Sequence, residues 1–119
     1  SEPQALLYPK APIEIAPMDG SNVFIPRFSD GALPVTERAF NILWSPEKHI
    51  LAFEVEEMNQ TAVWIYQLSP DLETIISSYS FYRIESYPIA AWWVPGESIV
   101  LRTGEIWSIS EKIVVDRIH

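Results

Sequence analysis

Cysteine is missing from all 119 residues, which excludes disulfide frameworks, thiolate metal sites and cysteine nucleophiles. Positive charge is scarce: eight Lys and Arg stand against sixteen Asp and Glu, a net charge of −8. A surface of that sign repels phosphate backbones and no basic cluster offsets it, so no nucleic-acid partner is expected. Apolar runs are short. None approaches the roughly 20 residues of a membrane-spanning helix, so no membrane insertion is expected. The four glycines are scattered, and none forms a phosphate-cradling loop. Histidine is confined to His49, in the turn "PEKH", and His119. No G-x-S-x-G elbow accompanies them, since Gly96-Glu97-Ser98 reads as a turn. These absences favour a chain that is not an enzyme and carries no metal or cofactor.

What is present suits a folded β domain. Apolar residues make up 48% and charged residues 20%, enough for one core and too apolar for disorder. Residues 1–11 read as a Pro-containing extended tail and residues 12–119 as a single all-β domain. Prolines at 3, 9, 12 and 17 exclude a helix and a central strand there, because each removes a backbone donor. Asp19-Gly20, between Ile13/Ile15 and Val23/Phe24/Ile25, suits a two-residue hairpin turn, and Asp30-Gly31 marks a second turn. A chain that starts at Ser1 rather than Met fits processing, which leans toward a periplasmic or secreted location.

The strongest β signal follows Arg38. Leu51, Phe53 and Val55 alternate with Ala52, Glu54 and Glu56, the pattern of a strand with one apolar face. "TAVWIYQLS" is rich in β-branched and aromatic residues, and the runs "SIVLRT", "EIWSIS" and "EKIVVDRIH" are short and separated by turn signals. In "SPDLETIISSY", Leu72, Ile75, Ile76 and Tyr79 fall at helical spacing. The β-branched run Thr74-Ile75-Ile76 and the serines after it shift the balance to a strand.

Two segments repeat. Trp44-Ser45-Pro46 and Trp93-Val94-Pro95 lie 49 residues apart, an offset that pairs Ile50 with Ile99, Leu51 with Val100 and Ala52 with Leu101. "WIYQLS" matches "EIWSIS" at an offset of 41, so the second copy is shorter between its middle strands. A period of this size with four short strands is that of a propeller blade. The residues Trp44, Ser45, Pro46, Leu51, Ala52, Phe53, Ile65, Tyr66 and Leu68 resemble the blade repeat of TolB-type β-propellers, as do Trp93, Pro95, Gly96, Ile106 and Trp107. Glu47-Lys48 departs from that family's Asp-Gly, Gln67 from its frequent Asp, and Val94 from its Ser. The resemblance implies two propeller-like four-stranded antiparallel units, about 38–82 and 86–118, with a Trp wedged between neighbouring blades. An ordinary β-sandwich or barrel is the alternative architecture.

Function follows less directly. "EVEEMNQ" gathers Glu54, Glu56, Glu57 and Asn59 but lacks the calcium-wrapping spacing, and it reads as a solvated hairpin tip. Five Trp, five Tyr and five Phe remain. The aromatic set singled out as a ligand- or partner-binding surface is Tyr79, Tyr82, Tyr87 and Trp92. Two units leave apolar faces open, so the expected role is a non-enzymatic binding or assembly module that engages protein and forms a homo-oligomer through its blade faces. The alternatives are a lectin-like module binding carbohydrate through exposed aromatics, and an acidic inhibitor or immunity-type protein for a basic partner.

Overall fold

Leu51, Phe53 and Val55 do point to one side of a strand, but the other side is apolar too. Every residue from Ile50 to Val55 is buried, because this strand is sandwiched between two apolar layers. The expected single apolar face is thus corrected. Ala52 and Glu54 look inward to a second sheet, not outward to water, and of the alternating set only Glu56 is exposed.

A computed structural model describes residues 11–12, 26–32, 35–36 and 39–118. The elements are β1 (Ala11–Pro12), β2 (Arg27–Phe28), β3 (Val35–Thr36), β4 (Ala39–Ser45), β5 (Ile50–Glu57), β6 (Gln60–Leu68), β7 (Thr74–Arg83), β8 (Ile89–Val94), β9 (Ser98–Leu101), β10 (Glu105–Ser108) and β11 (Ile113–Arg117). The fold is all-β, with no helix among the described residues. One sheet runs β2-β7-β6-β5-β4, the other β11-β10-β9-β8, and neither closes into a barrel. β1 and β3 pair as a small separate ladder. The hairpin proposed at Asp19-Gly20 lies outside the described residues. The turn at Asp30-Gly31 is present, with Gly31 at φ 88° and its N–H donating to the Phe28 carbonyl.

Residues 74–83 form a strand, as the β-branched run requires. Each large sheet contains a four-stranded antiparallel meander in chain order, β4 to β7 and β8 to β11. The parallel strand β2 is added at the β7 edge, with Arg27 opposite Thr74 and Phe28 opposite Ile75. The second meander is the smaller. Its middle strands β9 and β10 are four residues each, against eight and nine in β5 and β6.

Ladder register corrects the repeat alignment. The first hairpin closes on Ser45 opposite Ile50, the second on Val94 opposite Ser98. The second turn is therefore one residue shorter, and Ile99 is the counterpart of Leu51, not of Ile50. Leu101 likewise answers to Phe53. A one-residue slip exchanges the two faces of a strand, so the packing sense changes with it. Unit 1 (β4–β7) presents Ile50, Ala52, Val63 and Ile65 to Ile99, Leu101 and Ile89 of unit 2 (β8–β11). Opposite faces meet, and the stacking runs head to tail.

The far face of unit 1 carries Leu51, Phe53, Val55, Tyr66, Leu68 and Ile75, all 5% exposed or less. Phe28 from β2 and Leu72 from the β6–β7 turn pack on it, with Phe28 edge-on to Tyr66 at 6.1 Å. Burying a side chain such as Phe53 is worth roughly 1.5–3 kcal/mol, so this capped face supplies a large share of the stability.

Candidate functional site

The seam between the units is built from aromatic and polar groups as well as aliphatic ones. Phe81 stacks on Trp107 with centroids 3.8 Å apart and planes 16° from parallel. The Tyr79 hydroxyl donates to the Ile109 carbonyl at 2.8 Å and accepts from the Trp107 indole at 3.2 Å. The Trp92 indole donates to the Trp44 carbonyl at 3.4 Å. At the outer margin Arg83 of unit 1 is ion-paired with Glu105 of unit 2. Against the turn after β4 sits Gly96, at φ 74°; a Cβ there would lie 2.4 Å from the Lys48 side chain.

One carboxylate is sealed inside this seam. Glu54 is 0% exposed. Its Oε2 accepts from the Asn41 side-chain amide at 2.6 Å and from the Ile89 N–H at 2.8 Å. Asn41 also donates to the Ile89 carbonyl at 2.8 Å. The two side chains thus meet both polar groups of Ile89, as a neighbouring strand would. They tie β8 to the first unit. Among the described residues Glu54 Oε1 has no hydrogen-bond partner. Burial pushes the Glu54 carboxyl above the usual range, against the pull of the Ile89 and Asn41 hydrogen bonds and the Arg102 charge. The reading of Glu54 as part of a solvated tip is therefore corrected. Sequence alternation missed it because Ala52 on the same face looks neutral, and the signal that could have found it is Val63 and Ile65 opposite.

The four aromatics singled out from sequence do not share a surface. Tyr79 and Trp92 are half-buried in the seam and hydrogen-bonded there; burial also raises the Tyr79 hydroxyl above its ordinary value. Tyr82 is exposed on β7, opposite Ala62. Tyr87 is exposed near the seam's edge, edge-on to Phe40 at 5.4 Å. His49 sits in the β4–β5 turn at φ 57°, its carbonyl accepting from the Leu68 N–H.

The expected wedge residue is displaced as well. Register shifts between Trp92 and Val94, which puts Trp92 into the seam and leaves Trp93 53% exposed. Trp44 packs on the far face of unit 1.

Trp93 stands at the edge of a different surface, the outer face of unit 2. Ladder pairing places Val94, Ser98, Ser108 and Ile113 in one row and Val100 beside Ile106 in the next. Val115 stands at the register shift of β11. Trp93, Val94, Ile113 and Val115, at the two edges of the sheet, are all exposed, whereas Ile106 and Ser108 between them are buried. A cleft of about 670 Å³ opens here, lined on this side by Trp93, Val94 and Val115 and on the other by Gln67, Ser77 and Tyr79 at the open end of the seam. Lys112 crosses its mouth, Nζ 5.0 Å from the Tyr79 ring centroid. Among the described residues no group of three or more metal-ligating side chains comes together. No protein-family model, curated protein or solved structure matches the chain.

Proposed function

We propose that the chain is a non-enzymatic assembly module that engages protein, isolated copies of itself included, through the outer face of unit 2. One observation carries this reading. Val94 and Ile113 are exposed on the outer face of unit 2, with Trp93 and Val115 exposed at the register shifts beside them, while the other apolar layers are filled from within the chain. Exposed apolar side chains on a sheet are what interaction sites use, and a Trp, here on the edge strand β8, is a favoured anchor. The head-to-tail stacking supports the resemblance to propeller blades, which pack in that sense, and TolB-type membership stands as part of this proposal.

Light scattering over a concentration series tests it. The expected result is a mass that rises above the 13.6 kDa of one chain, and that stays at one chain in Val115→Asp. A wild-type chain that remains at one mass throughout would sink the proposal.

A carbohydrate reading has one specific support. The Trp93 indole opens onto the cleft, where Ser77, Ser78, Ser98 and Ser110 also lie, and their hydroxyls make no hydrogen bonds among the described residues. Quenching of tryptophan fluorescence by a panel of neutral oligosaccharides checks it, and no response at millimolar sugar counts against it.

A further inference from the structure

We propose that Glu54 is a proton-operated latch between the two units. With a neutral carboxyl it holds the Ile89 end of β8 against unit 1; ionised, it frees residues 86–89 to open and let water into the seam. Placement carries the proposal. Glu54 is 0% exposed, and its Oε2 takes both the Asn41 amide and the Ile89 N–H. Asn41 completes the hold by donating to the Ile89 carbonyl. Among the described residues the one other hydrogen bond from β8 to unit 1 is the 3.4 Å contact of the Trp92 indole with the Trp44 carbonyl. Within that same set Oε1 meets no partner. A neutral carboxyl bears an idle oxygen at modest cost, whereas a buried carboxylate left without a donor bears a far larger one. Once charged, Oε1 finds donors only in water, so something must move.

The neighbours decide what moves. β5 is laddered on both sides, to β4 and to β6, and cannot shift alone. β8 is an edge strand, and the connector before it has Tyr87 exposed. Glu85 is fastened to unit 1, by its ion pair with Arg83 and by the Thr61 hydroxyl on its carbonyl. Beyond it, Arg102 of unit 2 holds the Tyr87 and Pro88 carbonyls. Residues 86–89 therefore part from unit 1 and stay with unit 2. Such an opening is a local fluctuation, and the proton sets its population.

Few charges surround the latch. β4, β6 and β8 carry no charged side chain. Glu56, on the same face of β5, is exposed, and Glu85 and Glu105 are both paired with Arg83. Tyr87 lies edge-on to Phe40. Arg102 is the charge that acts on Glu54, and burial outweighs its pull toward the ionised form. Opening therefore releases a proton. It becomes easier as pH rises from about 4.3, where an exposed Glu titrates, until the closed carboxyl titrates as well.

Hydrogen exchange of the Ile89 amide, the donor to Glu54, tests this by NMR from about pH 4.5 to 8, corrected for intrinsic exchange chemistry. The expected protection factor falls about tenfold per pH unit, the slope of one proton released, and then levels off. Amides of the β5–β6 ladder should stay more protected throughout, and Glu54→Gln should abolish the slope at Ile89. In the wild type alone, Ile89 protection equal to that of the ladder at every pH would mean that only whole-molecule unfolding exposes it, and would overturn the latch. Equal slopes in wild type and the glutamine variant would overturn it too.

Discussion

Replacing Glu54 probes the seam that gives the two units their fixed sense of stacking. Glu54→Gln and Glu54→Ala are both uncharged, so their difference isolates the acceptor and the volume. In the alanine variant the Ile89 N–H loses its acceptor and the Asn41 amide loses one of two, at about 1–3 kcal/mol for an orphaned buried donor. The truncated side chain leaves a void besides, adding about 1 kcal/mol. Glu54→Ala is therefore expected to be less stable than Glu54→Gln by about 2–4 kcal/mol in urea unfolding. Charge is read separately, from wild type against Glu54→Gln. The folded carboxyl titrates above its ordinary range, and the unfolded one near about 4.3. Between those values the folded state holds more proton, so wild-type stability falls as pH rises through the window. The glutamine variant lacks that slope, and subtracting its curve removes the contribution of every other carboxylate. A wild-type curve that rises relative to glutamine above pH 5, or an alanine variant equal to glutamine, would refute the buried clamp.

Other positions give sharper single outcomes. Gly96→Ala combines a left-handed backbone with a clash against Lys48, and should cost about 1–2 kcal/mol in thermal or urea unfolding. Trp107→Ala removes the stack on Phe81 and the donor to Tyr79, and should cost about 3 kcal/mol. Tyr82→Ser, at an exposed site, should move stability by no more than about 0.5 kcal/mol and leave the scattering mass unchanged.

How far the sequence reveals this molecule depends on which rule is asked. Class and strand positions were legible, because β-branched runs and turn signals act locally; residues 74–83 form a strand despite the helical spacing of Leu72, Ile75, Ile76 and Tyr79. That two four-stranded meanders follow one another was legible too, but Trp-x-Pro set Trp93 against Trp44 where the ladder sets Trp92. The register of the second was not, since a turn shortened by one residue between Pro95 and Ser98 changes nothing in composition yet exchanges the two strand faces. That single residue hid the direction of stacking. The site was less legible still. Tyr79 and Trp92 look like surface aromatics until their hydroxyl and indole find seam partners, and Trp93 looks like core until the bulge beside it turns it outward. Glu54 among Glu56 and Glu57 gives no local sign of burial, which is decided by a sheet distant in sequence.

The most direct test of the outer face as the assembly surface is hydroxyl-radical footprinting of the unmodified chain, at a dilution where it is one chain and at a concentration where its mass has risen. Protection confined to Trp93, Ile113 and Val115, with Tyr82 and Tyr87 unchanged, is the predicted result. Protection centred on Tyr82 and the first sheet, with Trp93 as reactive as before, would contradict it.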